Sequence, residues 1–288
     1  MPTIRHILFP YDCSAQGLTV VPYVRALAQR FDARVTIFGV VPPTFATVAP
    51  EAALHLRAGA DTAEWKRHLQ CELDRAFVNE LAGIAVDRVA EVGDPAIRIV
   101  DHAHQQHVDL IAMPTHGAGT FRGFLIGSVT AKVLHDARCA VWTAAHADAQ
   151  TAAALPARIL CAVDGSKATP ALVRWTAEFA EAVGARLDFV HVVGPVSDWP
   201  ALESERHLQD QVREAASQKI EAMSSAFGAD TRLTVAVGNI VQTVAEEARQ
   251  SIADLVVIGR GSVSEPFGRL RTHAFGIIQR SPCPVLSV

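Results

Sequence analysis

Short apolar runs rich in β-branched residues alternate along this chain with longer stretches in which apolar residues recur every three to four positions. The runs Ile7 to Tyr11, Arg34 to Val41, Val86 to Val92, Asp109 to Met113 and Ala140 to Thr143 predict strands. Between them, Val20, Val24, Leu27 and Phe31 keep helical spacing, as do Trp65, Leu69, Leu73 and Phe77. Leu208, Val212, Ala216, Ile220, Met223 and Phe227 predict a long helix in the second half. The strand runs are nearly continuous in apolarity, the pattern of strands covered by helices on both faces of a parallel sheet. Alternation of this kind gives β-α-β-α-β-α-β-α-β, an open doubly wound α/β sheet.

The pattern is written twice. Ile7-Leu8-Phe9-Pro10-Tyr11-Asp12-Cys13-Ser14 returns as Ile159-Leu160-Cys161-Ala162-Val163-Asp164-Gly165-Ser166. Asp109-Leu110-Ile111-Ala112-Met113 returns as Asp254-Leu255-Val256-Val257-Ile258, and Cys139-Ala140-Val141 as Cys283-Pro284-Val285. Three matches in one order, at a period of roughly 145–150 residues, indicate a duplicated domain and not a solenoid. The expected architecture is two tandem open doubly wound parallel sheets with five strands per repeat. Residues 1–146 and 157–288 form the domains, and the small, polar, non-periodic stretch 147–156 is the linker.

Composition changes this picture little but excludes several partners. At 288 residues, half of them hydrophobic, the chain has enough apolar material for two cores. A formal net charge of −4 speaks against a general binder of nucleic acid or of anionic membranes. No apolar stretch approaches the ~20 residues of a membrane span, and the N-terminus lacks the features of a secretory signal. Cys13, Cys71, Cys139, Cys161 and Cys283 are scattered, with no C-x-x-C pair, so reduced thiols in a cytoplasmic protein are expected.

A ligand crevice in an open α/β sheet lies beyond the carboxyl ends of the strands, where the strand order reverses. Asp12 ends the first strand there, ahead of Cys13-Ser14-Ala15 entering a helix. After the fourth strand come Pro114-Thr115-His116-Gly117-Ala118-Gly119 and, further on, Gly127-Ser128-Val129 opening a helix. The free N–H groups and positive dipole end of such a helix suit a phosphate. Gly127 permits close backbone approach and Ser128 adds a hydroxyl donor. Asp12 offers acceptors to a ribose or a base edge, although it reads equally as a helix cap.

These residues resemble the universal stress protein family, whose ATP-binding members carry G-x2-G-x9-G-[ST] after the fourth strand. Here the run is Pro114-x2-Gly117-x9-Gly127-Ser128, preceded by Val92-Gly93-Asp94-Pro95-Ala96 at the end of the third strand. The resemblance covers essentially the whole chain, twice, and implies a three-layer sandwich of the flavodoxin-like or adenine-nucleotide alpha-hydrolase-like kind. By resemblance, Pro10 and Asp12 line the base and ribose pocket, and Val40 offers backbone groups to the adenine. Gly117, Gly127, Ser128 and Val129 hold the phosphates. Pro114 departs from the family by replacing its first glycine and removing an N–H donor.

The second repeat departs further. Its loop is Gly259-Arg260-Gly261-Ser262, Arg271-Thr272 stand in place of the Gly-Ser pair, and Gly238-Asn239-Ile240 replaces Gly-Asp-Pro, while Asp164-Gly165-Ser166 is kept. A side chain at Arg271 crowds a close phosphate approach, though its guanidinium suits an anion. This half therefore reads as a degenerate site kept for architecture.

Other candidates carry less. His102, His104 and His107 suggest a metal, but only His104 and His107 share a helical face, and a solvated surface is expected. Cys139 and Cys283 read as small core residues. His116 either touches a phosphate or points to water. No nucleophile triad, carboxylate pair or G-x4-G-K-[ST] loop is present, so the resemblance allows at most weak ATP hydrolysis. The expected protein is a cytoplasmic regulator of the stress response. It binds ATP, ADP or AMP through its first domain, with Mg2+ as the candidate ion, and a homodimer is the expected assembly. The alternatives are a nucleotide-independent interaction scaffold and a weak ATPase.

Overall fold

The computed structural model describes residues 4–42, 62–115, 126–144, 155–194, 214, 218, 231–260 and 273–288. The described residues up to 144 form one compact unit and those from 155 another. In the first unit the order is β1 (His6–Pro10), α1 (Ala15–Leu18), α2 (Val21–Phe31), β2 (Arg34–Val41), α3 (Thr62–Arg75), β3 (Val86–Val92), α4 (Pro95–Gln105), β4 (Leu110–Pro114), α5 (Ser128–Asp136) and β5 (Ala140–Ala144). In the second it is β6 (Arg158–Val163), α6 (Thr169–Val183), β7 (Arg186–Val193), β8 (Leu233–Val237), α7 (Ile240–Gln250), β9 (Leu255–Ile258), α8 (Ala274–Arg280) and β10 (Val285–Ser287).

Within the first unit the strands lie in the order β3-β2-β1-β4-β5, and within the second in the order β8-β7-β6-β9-β10. All these pairings are parallel, and their registers coincide. Ile7 lies opposite Val35 and Leu110, and its counterpart Ile159 lies opposite Leu187 and Leu255. In each unit the order reverses beside the first strand, which places a crevice at the carboxyl ends of β1 and β4, and of β6 and β9.

The apolar pattern explains the layers. Ile7, Leu8, Phe9, Ile37, Ile111 and Val141 are wholly buried, as strands covered on both faces require. Burying each such side chain stabilises the fold by roughly 1.5–3 kcal/mol. Val24 and Leu27 of α2 and Leu73 of α3 supply the covering helical faces. Gly39 of β2 lets α3 come close, since a Cβ there would stand 3.0 Å from methyls of Leu69 and Leu73. Helix ends follow local chemistry. Pro95 opens α4 behind the Asp94 cap, and α6 closes on Gly184 at φ 74°.

Two departures from the sequence pattern are instructive. Phe77 keeps helical spacing, yet α3 ends at Arg75 and Phe77 lies at φ 55°. The reversal still buries its ring, 5.6 Å from Phe9 and 4.8 Å from Tyr11. β3 is the outer strand of its sheet, and only Ala90 along it is fully buried. The helix anticipated from Leu208, Val212, Ala216, Ile220, Met223 and Phe227 lies outside the described residues, although Glu214 and Gln218 between them are helical.

Candidate functional site

The crevice of the first unit is built from the ends of β1 and β4. β1 extends its ladder one residue past Pro10, where Tyr11 N–H donates to the Phe38 carbonyl at 3.0 Å. Asp12 then turns the chain: its Oδ1 accepts the Ser14 N–H at 3.1 Å across Cys13, which lies at φ 59°. The second unit repeats this turn with Asp164 and the Ser166 N–H at 2.9 Å, and there the left-handed residue is Gly165 at φ 68°. Asp12 thus organises the turn into α1, whose N-cap is Ser14, and keeps an exposed carboxylate at the mouth. Ser14 Oγ is buried and finds no partner among the described residues.

Pro10 is buried opposite Phe38, and Val40 stands half-buried two residues further along β2. Strand alternation puts Pro10, Phe38 and Val40 on one face of the sheet. That face belongs to α4, whose His102 ring lies 4.4 Å from the Phe38 ring. Tyr11 points to the opposite face, against Phe9 and Phe77.

At the end of β4, Thr115 N–H donates to the Ala144 carbonyl at 3.3 Å. Gly127 N–H donates to the Thr115 carbonyl at 2.8 Å, and Thr130 Oγ1 donates to the Pro114 carbonyl at 3.1 Å. These bonds fix the start of α5 beside β4. Gly127 caps α5 without a side chain, and Ala131 N–H closes the first turn on the Gly127 carbonyl. The Gly127 amide is therefore already engaged. The donors that α5 presents are those of Ser128, Val129 and Thr130. Ser128 is exposed, while Gly127 and Val129 are half-buried. Gly117 and His116 lie outside the described residues.

Asp94 and Lys132 join this end of the unit. Asp94 Oδ1 accepts the Ile97 N–H at 2.9 Å and lies 3.6 Å from Lys132 Nζ of α5. The Ile97 amide, and then Lys132, hold its carboxyl below the usual carboxylate range. Gly93, at φ 146°, makes room for Arg98, whose Nε would stand 2.7 Å from a Cβ there and donates to the Val92 carbonyl. Cys13 offers no thiolate, because burial, reinforced by Glu72 and Asp12, pushes its thiol up to about 11.

The second unit differs at the same place. Arg260, the counterpart of Thr115, is buried, and its N–H donates to the Val288 carbonyl at 2.9 Å. α8 opens at Ala274, the counterpart of Thr130, so it begins two residues later than α5. Where β2 has Gly39, β7 has His191, whose Nδ1 lies 2.8 Å from the Val163 carbonyl. Gly261, Arg271 and Thr272 lie outside the described residues.

The remaining candidates settle into structural places. His102 and His104 are half-buried, not solvated, and His107 follows the end of α4 at φ 51°, so it shares no helical face with His104. Among the described residues no group of three His, Cys, Asp or Glu side chains suits a metal. Cys283, two residues before β10, is buried and its thiol is pushed up to about 11 by burial, while Cys139 is half-buried.

Sequence reasoning passed over Asp109 and Asp254, which fix the first strand of each unit at the end away from the crevice. Asp109 Oδ2 accepts the N–H groups of Arg5 and His6 at 2.8 and 3.0 Å, and Asp254 Oδ2 accepts those of Ala157 and Arg158, both at 2.9 Å. In each repeat the fourth strand thus holds the start of the first. The recurrence of the aspartate before both apolar runs was the available signal.

The Universal stress protein family model matches residues 3–144 and again 157–288, and the chain belongs to that family, in tandem form. It is similar to Universal stress protein MJ0531 of Methanocaldococcus jannaschii, 29% identical over 138 residues, 48% of this chain and 79% of that protein. Among solved structures it resembles a universal stress protein from Archaeoglobus fulgidus at a TM-score of 0.66 and 20% identity, covering 99% of this chain and 96% of that one. It also resembles a functionally unknown protein from Pseudomonas aeruginosa at 0.68 and 15%, covering 100% and 93%. No helix among the described residues is long and apolar enough to cross a membrane.

Proposed function

We propose that this protein is a cytoplasmic stress-response regulator whose first domain, residues 1–146, binds an adenine nucleotide, with ATP and Mg2+ the leading candidates. The second domain, residues 157–288 beyond the linker 147–156, serves mainly as architecture. The observation that carries the reading is the start of α5. Its first-turn amides have no side-chain cap and stand beside β4 where the strand order reverses, and the exposed carboxylate of Asp12 follows the end of the adjoining β1. Ser128 and Val129 supply phosphate donors and Gly127 the close approach. Pro10 and Val40 share one face of the sheet beside Asp12, as a base and ribose pocket requires. Gly117 extends the phosphate loop in this reading. Regulation follows if the nucleotide-bound and free forms differ in the partner or homodimer surface they present.

A nucleotide-independent scaffold is the second reading, favoured by one observation. Gly127 N–H is engaged by Thr115 and Pro114 has no N–H to give, so two loop donors are lost. Calorimetric titration with ATP and Mg2+ decides between them, run beside Gly127→Arg. Gly127 lies at φ −58° and ψ 145°, ordinary backbone for any residue, so the variant blocks the phosphate approach without straining the fold. Nucleotide binding near one site per chain, weakened at least tenfold in the variant, supports the first reading. Absence of binding to either protein leaves the scaffold, and phosphate release during the titration would indicate the weak ATPase.

A further inference from the structure

Far from the crevice, at the amino end of β1, lies a group of side chains that the nucleotide reading does not use. His6 is 4% exposed. Its Nε2 stands 2.8 Å from Thr36 Oγ1 of β2, and its Nδ1 stands 3.2 Å from the Gln106 carbonyl after α4 and 3.1 Å from Arg34 Nη2. These neighbours set opposite demands on the ring: Nε2–H can donate to Thr36 and the Arg34 guanidinium to a bare Nδ1, while the Gln106 carbonyl accepts only from a protonated Nδ1. A doubly protonated ring sets a cation against Arg34.

His102 extends the group. Its ring lies against Phe38, and its Nδ1 is 4.0 Å from Glu91 Oε1, a carboxylate shared with Arg98 Nε at 3.8 Å. The acidic groups around His6 do not offset Arg34 at close range. Asp109 spends its Oδ2 on the Arg5 and His6 amides, and Asp87 acts from β3 only through space. Burial is the main influence on both rings and holds each below the ordinary imidazole value; the Gln106 carbonyl at His6 and Glu91 at His102 pull the other way, and Arg34 adds to the lowering of both.

The second repeat has a histidine in β7 at His191, but none at the positions of His6 and His102, where it is an internal control. Strand register and helix alignment place Arg158 where the first unit has His6, Asp188 where it has Thr36, and Glu247 where it has His102. There Arg186 Nε lies 3.5 Å from Asp188, Arg232 Nη2 lies 3.9 Å from Glu247, and Thr234 Oγ1 donates to Glu247 at 3.1 Å. Guanidinium and carboxylate groups do not ordinarily titrate in the range of imidazole.

We propose that His6 and His102 form a proton-sensitive lock that makes the first unit, and not the second, loosen under mild acid. A histidine held neutral by the fold takes up its proton on unfolding. Its contribution to stability is therefore intact above the ordinary value near 6.5 and is lost as pH falls towards the lowered value in the folded chain. In that window the folding equilibrium constant drops about tenfold per pH unit for each histidine. β1 and α4, which the lock joins at this end, carry Pro10, Asp12 and Asp94 at the other. Acid therefore weakens the frame of the crevice from behind.

Hydrogen exchange of the full chain at pH 7 and pH 5.5, corrected for intrinsic rates, tests the lock. Protection in residues 4–42 and 92–115 is expected to fall at least tenfold more than in residues 155–194 and 240–258, and His102→Gln reduces the difference. Equal losses in both units, or an unchanged loss in His102→Gln, overturn the proposal. His6→Gln adds a second variant, and nuclear magnetic resonance titration of the wild-type rings covers the case in which it fails to fold. Rings of His6 and His102 that titrate at or above the ordinary value also overturn it.

Discussion

Removing the Asp109 carboxylate isolates the bond between β4 and β1. In Asp109→Ala the Arg5 and His6 amides lose an ionised acceptor at 2.8 and 3.0 Å. Hydrogen bonds to charged groups contribute roughly 1.5–3 kcal/mol each when well shielded. Here one amide is exposed and the other part-buried, so about 2 kcal/mol for the pair is the reasoned loss. A unit of this size has a urea slope of about 2 kcal/mol/M, which places the midpoint about 1 M lower. Asp109→Asn keeps one acceptor and loses about half as much. Urea unfolding read by pulsed hydrogen exchange separates the units, and Asp254→Ala is the matched control. Each alanine is expected to lower the midpoint of its own unit only. A shift below about 0.3 M for Asp109→Ala, or equal shifts in both units, refutes the reasoning.

Three further changes follow from the backbone and the packing. Cys13→Gly gives the left-handed position the residue that the second repeat already has, and a gain of about 0.5–1 kcal/mol should raise the melting temperature by a few degrees. Ile252→Gly acts in the same direction in the second unit, since an exposed β-branched residue at φ 51° is strained. Gly39→Val drives a side chain into Leu69 and Leu73, and a loss of about 2 kcal/mol by urea titration is expected.

The strands were legible because burial on both faces writes itself as continuous apolar runs. β1, β2, β4 and β5 run within a residue of the segments that Ile7 to Tyr11, Arg34 to Val41, Asp109 to Met113 and Ala140 to Thr143 suggest. β3 was visible from its valines, but its exposed outer position shows only in the interleaved Asp87, Arg88 and Glu91. The spacing of Phe77 identified a buried face and missed the end of the helix, because a left-handed residue can return a side chain to the core. Of the crevice, sequence located the turn at Asp12 and the opening of α5 at Ser128, and residues 116–125 between β4 and α5 lie outside the described ones. It gave no sign that the Gly127 amide is turned to Thr115, since backbone pairing depends on how β4 and α5 meet. The carboxylates of Asp109 and Asp254 were seen as a repeated letter, and their role needed partners about a hundred residues away in sequence.

A chain that contains the same sheet twice must also avoid assembling its halves wrongly. By register alone β1 and β6 are interchangeable, since Ile7 and Ile159 meet equivalent neighbours and Asp109 and Asp254 would hold either strand. Such tandem copies are prone to exchange strands while they fold. The two first strands do differ where they open, with His6 in one and Arg158 in the other. Were β6 laid beside β2, however, Arg158 would face Arg34 much as it faces Arg186 in its own sheet, so charge does not bar the exchange. Correct assembly then falls to the order of folding, each half closing as its own unit before the strands of the other can intrude.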